Sequence, residues 1–230
     1  MSTFPFSEFL SSLSRKFVPI IAPHYGAEEY VPLDLSSANK ELDVAVLQQA
    51  NVHHRQLQEF LETSNGKVAY GGYLEQRKLY DRSDYFTSEN PDDSRNIHLG
   101  IDLWCEAGTA VLSPLQATVH SFQENTNFGD YGPTIILEHL EDGHRFHTLY
   151  GHLSRESLNG LSVGQKISSG QQIASLGVPA VNGDYAPHLH FQIIVDIQNF
   201  VGDYPGVASR SNLEFYKMNC PDPNLLLKIY

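Results

Sequence analysis

Short runs rich in β-branched and aromatic residues, each bounded by turn residues, dominate the chain from residue 67 onward. Such a pattern predicts strands joined by short connections. Between two of the runs stands Glu141-Asp142-Gly143, a hairpin signal, because Asp-Gly pairs adopt the positive φ values of tight turns. We therefore expect a mainly antiparallel β-domain. Its runs cover residues 110–122, 133–140, 145–153, 166–177 and 188–196.

The first 66 residues have a different pattern. Residues 3–20 and 38–64 carry apolar side chains at helical spacing, so each stretch predicts helix. A chain of 230 residues is long enough to bury a sizeable core. We expect an α+β chain, with a helical N-terminal arm over 1–66 packed on an antiparallel β-domain over 67–230.

Composition restricts the partners and the compartment. The chain has 15 Lys and Arg against 27 Asp and Glu, a net charge of −12, which disfavours binding to a nucleic-acid phosphate backbone. Neither an export signal nor an apolar stretch of membrane-spanning length is found in the sequence, so we expect a cytoplasmic protein without membrane attachment. Cys105 and Cys220 form no disulfide framework or CxxC motif, which fits a reducing compartment.

The stretch Pro187-His188-Leu189-His190-Phe191 places two imidazoles before an apolar run. Because alternate residues of a strand share a face, His188 and His190 point the same way while Leu189 points to the other face. Two histidines alone match by chance too often to define a site. The motif therefore needs partners elsewhere in the chain.

Candidate partners lie in the same β-rich region. His98 and Asp102 stand four residues apart, and His152 stands at the end of a predicted strand. A catalytic zinc needs three protein ligands and one open position, with proton-transfer groups nearby. Four histidines and one aspartate satisfy that requirement, although composition does not say which residues are the ligands.

At these residues the sequence resembles the lysostaphin/LytM-type zinc metallopeptidases. The resemblance covers roughly residues 95 to 196 and rests on an ordered series of motifs. In chain order these are HLGID, AGTAVLSPLQATV, YGPTIILEH, LYGHLS, LSVGQKISSGQQIASLG and PHLHFQI. The ordered set HxxxD, YxHL and HxH is highly specific, and the fold that it implies is a compact antiparallel β-structure of the duplicated hybrid motif type.

The resemblance implies roles for five residues. The zinc ligands would be His98, Asp102 and His190, and one zinc ion is expected per chain. His152 and His188 would line the water and the scissile carbonyl, as the catalytic pair. The implied reaction is hydrolysis of a peptide or amide bond by zinc-activated water.

Several other side chains receive plainer interpretations. His53 and His54 lie in the helical arm and are expected to be solvated. Arg95 could orient a substrate or form a surface salt bridge, and Tyr80 or Tyr85 could reach the oxyanion. For His120, His139 and His147 we favour a groove-wall or core-edge role over metal binding.

The chain also departs from familiar members of the family, which are exported and cut peptidoglycan. The segment 71–86 and the tail that follows the HxH strand look similar to a cytoplasmic branch, in which such a module is fused beside kinase-like and class-III aminotransferase domains. The resemblance thus implies an intracellular peptide or amide substrate and an association with an aminotransferase-like partner.

Two functions of other classes stay open. The segment Ile97–Asp102 also resembles the active-site histidine segment of sugar phosphotransferase domains, which would make the chain a histidine phosphocarrier. Against this alternative, a phosphocarrier has no use for the additional imidazoles of the HxH strand. The second alternative is a non-catalytic module that binds zinc or a partner, which His152 and His188 disfavour because a structural site closes its fourth position with a protein ligand.

Overall fold

The computed structural model describes residues 5–22 and 24–230. The α-helices in this part of the chain are α1 (Phe6–Ser12), α2 (Val44–Leu47), α3 (Ala50–Thr63), α4 (Leu213–Asn219) and α5 (Asn224–Leu227). The strands are β1 (Tyr30–Pro32), β2 (Val68–Gly71), β3 (Ile97–His98), β4 (Ile101–Trp104), β5 (Ala110–Leu112), β6 (Ala117–Asn125), β7 (Gly132–Glu141), β8 (His144–Gly151), β9 (Lys166–Ile167), β10 (Gln172–Ser175), β11 (His188–Ile194) and β12 (Val207–Ala208).

One eight-stranded sheet organises the molecule, in the order β1-β2-β4-β11-β8-β7-β6-β9. Its neighbours are antiparallel except for the parallel pair of β1 and β2. Two small antiparallel pairs, β5 with β10 and β3 with β12, complete the strands. The expected α+β class with a mainly antiparallel sheet is therefore confirmed.

The predicted hairpin joins β7 to β8, with Glu141 opposite His144. Asp142 and Gly143 have φ values of 49° and 82°, the left-handed conformation that the two central residues of this turn require. Within the described part of the chain, no helix combines the length and apolar character needed to cross a membrane.

The helices of the arm are shorter than the sequence predicts. The expected helix over 3–20 is observed as α1, and its residues 3 and 4 lie outside the described part. Ser12 donates its hydroxyl back to the carbonyl of Phe9, and Pro19 cannot continue a helix. The expected helix over 38–64 is observed as α2 and α3, and Asp43 caps α2 by accepting from the backbone N–H of Ala45.

Strand β11 lies at the centre of the sheet and divides its two faces. Leu189, Phe191 and Ile193 point into the main apolar core, where α1 and α5 also pack. The alternate residues His188 and His190 face the other side. This alternation decides which face of the sheet carries the polar site.

His139 on β7 is fully buried, with hydrogen bonds from its two ring nitrogens to the carbonyl of Gln116 and the hydroxyl of Thr148. Burial lowers its pKa to about 4. Below pH 6.5 the unfolded chain takes up a proton at this residue that the folded chain does not. Stability should therefore fall as the pH is lowered from about 6.5 to 4, with this residue contributing up to ~1 kcal/mol per pH unit.

We predict that His139→Gln, which cannot titrate, loses less stability than the parent protein over this pH range in urea unfolding. All other histidines are the same in both proteins, so the difference reports His139. His144→Gln on the same hairpin, at an exposed position, is the control and should match the parent. Parallel stability curves for His139→Gln and the parent would contradict the prediction.

Candidate metal centre

The polar site forms where β4, β11 and the end of β8 meet. The antiparallel register pairs His190 with Asp102 on β4 and with Gly151 on β8. His98 ends β3, just before the chain turns into β4, and His152 follows β8. The structure thus brings together all five residues that the sequence analysis selected.

Three acceptor atoms converge at its centre. The distance from His98 Nε2 to His190 Nδ1 is 2.8 Å, and each nitrogen lies 3.2 Å from Asp102 Oδ1. These three side chains are 97 to 99% buried. Among the described residues they form a group of His, Cys, Asp or Glu that could hold a metal ion.

Hydrogen bonds fix the protonation of both rings. The Nδ1–H of His98 donates to the carbonyl of Gly72 at 2.9 Å, and the Nε2–H of His190 donates to Gln192 Oε1 at 2.9 Å. The nitrogens that face each other therefore carry lone pairs, next to a carboxylate oxygen. Acceptors held this close without a donor between them repel, so the set fits a bound cation. Two imidazoles and a carboxylate are a zinc-type donor set.

Each of the three side chains also has a second partner that holds it in place. The amide of Gln192 donates to the carbonyl of Pro205 at 3.1 Å, which turns its oxygen toward His190. Asp102 Oδ2 accepts from Arg77 Nη1 at 2.5 Å, and the same guanidinium binds Glu75 through Nε. Burial would raise the pKa of Asp102, but His98 and Arg77 outweigh it and hold that pKa well below its usual range.

The imidazoles of His152 and His188 lie beside this centre, with ring centroids 4.1 Å apart. Their Nδ1–H groups donate to the carbonyls of Asn182 at 2.7 Å and Ala186 at 2.8 Å, which leaves both Nε2 atoms as acceptors. Burial lowers the pKa of both rings, and in His152 the charges of His188 and His190 add to the effect. His152 has a φ of 62°, a strained conformation that turns its side chain at the strand end.

A cavity of about 200 Å³ opens onto these side chains. Its lining includes Trp104 at the end of β4 and residues from before and after the β-strands of the site, among them Arg77, Tyr80 and Val207. The indole of Trp104 stacks on His188, with ring centroids 5.7 Å apart. The site therefore lies at the base of a pocket built by several parts of the chain.

His53 also lines this pocket and is 95% buried, so its predicted solvent exposure is wrong. Burial, with the charges of His188 and Arg77, lowers its pKa to about 3. The helical spacing contained the missing signal, because Ala50, His53 and Leu57 share one buried face of α3. Arg77 was missed for a different reason, since no local pattern marks an arginine that reaches Asp102 across 25 residues.

The remaining candidates fall into two groups. Tyr80 and Tyr85 line the cavity, Tyr80 buried and Tyr85 half exposed. Arg95 also lines it, and its guanidinium donates to the carbonyl of Tyr85 at 2.6 Å. The second group consists of three histidines on the sheet that do not line this cavity, His120, His139 and His147.

Residues 96–200 match the model of the family described as Peptidase family M23. This segment, called the M23 segment below, is therefore similar to that peptidase family. The predicted resemblance to lysostaphin and LytM-type enzymes is thereby confirmed, and the match supports a metallopeptidase.

Solved structures include similar chains. The catalytic domain of the antimicrobial peptidase lysostaphin from Staphylococcus simulans is 24% identical, with a TM-score of 0.40, over 66% of this chain and 93% of that domain. The catalytic domain of the prophage-encoded M23 protein EnpA from Enterococcus faecalis is 20% identical, with a TM-score of 0.38, over 56% and 86%. A zinc-containing peptidase from Vibrio cholerae is 27% identical, with a TM-score of 0.36, over 48% of this chain and 31% of its own. No curated protein sequence matches the chain.

Gly100 sits between His98 and Asp102, where a side chain has no room. A Cβ there would lie 2.5 Å from the carbonyl oxygen of Phe191 and 2.7 Å from Cε1 of His190.

We predict that Gly100→Ala displaces the His190 ring and weakens zinc binding by roughly 10-fold or more, measured by competition with a chelating dye. Gly108→Ala controls for general destabilisation, because its φ is 83° and its Cβ would meet nothing within 4 Å. Parent-like zinc affinity in folded Gly100→Ala would contradict the assignment.

Proposed function

We propose that the chain is a zinc-dependent hydrolase that cleaves a peptide or amide bond. The observation that carries the proposal is the convergence of three buried acceptors, His98 Nε2, His190 Nδ1 and Asp102 Oδ1, with no donor between them. These atoms would hold one zinc ion per chain. When bound, zinc supplies Lewis-acid activation of water, whose pKa it lowers to about 7.

The two neighbouring imidazoles supply proton transfer. Because both Nδ1–H groups are held by backbone carbonyls, each ring presents Nε2 as an acceptor toward the site. One ring takes the proton of the attacking water at Nε2 and later gives it to the leaving amine. With ring centroids 4.1 Å apart, two protonated rings would repel strongly, so the pair holds one extra proton at a time. A ring protonated at Nε2 also donates to the developing oxyanion.

Tyr80 adds a phenol to the same cavity and is the better placed of the two tyrosine candidates, because it is buried. Burial raises its pKa, so the phenol keeps its proton at neutral pH. We assign it to the oxyanion as a hydrogen-bond donor.

For the substrate we propose a peptide or amide-bearing metabolite in the cytoplasm. The support is the net charge of −12, which disfavours polyanionic surfaces, and the two free cysteines. Recovery in the soluble fraction of gently lysed cells tests the location, and recovery outside the cytoplasm would contradict it. Association with an aminotransferase-like partner stays a prediction.

The ligand assignment predicts metal loss. His98→Ala, Asp102→Ala and His190→Ala each remove a donor atom, so each should lose most of its zinc by elemental analysis of protein dialysed under matched conditions. His139→Ala is the control, because it removes a buried imidazole outside the cavity. Full zinc occupancy in all three site variants would exclude this metal centre.

Variants of the catalytic pair, His152 and His188, should lose hydrolysis without losing the metal. His152→Ala and His188→Ala are expected to keep most of the zinc and to hydrolyse substrate on the order of 10²-fold more slowly, the range for loss of a general acid or base. Mass spectrometry of a cytosolic metabolite extract and of isolated peptidoglycan, each incubated with parent and His188→Ala protein, measures cleavage. A metal-free His188→Ala beside a zinc-loaded His98→Ala would show that the two groups of residues are reversed.

A further inference from the structure

One segment that precedes the family-matched region lines the cavity at the site, here called the groove, and contacts residues on two of its walls. It comprises residues 78–86, here called the strap, and begins with a 3-10 helix over Lys78–Arg82. Leu79, Tyr80 and Phe86 are its buried apolar residues, and all three line the cavity. The strap therefore presents its buried side to the metal centre.

Arg82 attaches the strap to one wall of the groove. Its Nη2 donates to the carbonyls of Gly183 at 3.3 Å and Asp184 at 3.0 Å, and its guanidinium lies 4.2 Å from the centroid of the Tyr185 ring. This wall leads directly into Ala186 and His188. The side chain of Arg82 is 95% buried, so its guanidinium is largely shielded from water, while the side chain of Asp184 is half exposed.

A second hydrogen bond strengthens this attachment. The hydroxyl of Ser83 donates to the carbonyl of Phe128 at 3.1 Å, and the ring of Phe128 packs under the Arg82 guanidinium at 4.9 Å. Phe128 precedes Gly129 and Asp130, which line the cavity. Two loops of the M23 segment thus bind the strap from the same side.

The opposite wall meets the strap through apolar contact. Tyr80, Phe86 and Val207 form a buried cluster of their own. Val207 lies on β12, directly opposite His98 on β3. The strap consequently joins the wall that carries His98 to the wall that carries His188, across the metal centre.

We propose that the strap restricts the enzyme to short substrates, a peptide of two or three residues or an amide of similar size. This inference rests on the proposed hydrolase function. The cavity of about 200 Å³ is smaller than the usual range for ligand pockets. A long chain could reach the site only by passing a free end beneath the strap, and a cross-linked polymer has no free end to pass.

Trp104 gives a readout of the strap that needs neither zinc nor catalysis. It is the only tryptophan in the chain, it is 97% buried, and it lines the cavity. Arg82→Ala removes the attachment to Gly183, Asp184 and Tyr185, so acrylamide quenching of Trp104 fluorescence should increase severalfold. Arg82→Lys keeps the charge without the planar fork and should show a smaller increase. Arg155→Ala, which breaks an exposed pair with Glu124, should match the parent.

Unchanged quenching in folded Arg82→Ala would overturn the strap as a cover of the site. If Arg82→Ala does not fold, Ser83→Ala takes its place, because it removes the hydrogen bond to Phe128 and the one accepted from the backbone N–H of Tyr85 while leaving Arg82 in place. Ser83→Ala should increase quenching to a smaller extent, and unchanged quenching there would likewise overturn the proposal.

Cleavage measures the size limit itself. Zinc-loaded parent protein should cleave di- and tripeptides at least 10-fold faster than the same sequences within 20-residue peptides with blocked ends, and Arg82→Ala should reduce that ratio. Equal cleavage of both lengths by the parent would overturn the size limit alone. Cleavage of neither length by zinc-loaded protein would overturn the hydrolase proposal and the size limit with it, while the quenching result would still report on the strap.

Discussion

The mutual repulsion of three buried acceptors is the interaction on which the site depends. His98, Asp102 and His190 bring two nitrogen lone pairs and a carboxylate oxygen within 3.2 Å of one another on side chains that are almost fully buried. Such a cluster persists only because the sheet holds it and because a cation can neutralise it. The register of β4 against β11 keeps Asp102 and His190 next to each other. A slip of one residue would move His190 to the opposite face, among the apolar side chains of the core.

Residues outside the M23 segment complete this centre. Gly72 accepts from His98, and Arg77 lies between the carboxylates of Asp102 and Glu75. A buried carboxylate is costly without a counter-charge, and Arg77 supplies it from a stretch that precedes residue 96. The strap continues from this same stretch. One short segment of the chain thus both neutralises the centre and covers it, which links the chemistry of the site to access by substrate.

The sequence predicted some elements of the fold correctly and others not. The β7–β8 hairpin followed from Asp142 and Gly143, whose positive φ values are a local property of the turn. The helix over 3–20 was wrong beyond Ser12, because apolar spacing does not register a serine that bonds back to the helix or a downstream proline. Strand β1 was not expected at all in the arm. It forms because β2 offers a parallel partner, an interaction that no local pattern encodes.

The sequence by itself determined which side chains are candidates for the centre. Period-two spacing put His188 and His190 on one face, and the motifs around His98, Asp102 and His152 supplied the other three side chains. Tertiary structure alone decided their protonation, their partners and their cover. Those depend on Gly72, Arg77, His53 and Val207, which approach from distant parts of the chain. Local spacing is read along one element, whereas burial and hydrogen-bond partners are set by how separate elements pack, and that packing is a property of the whole fold.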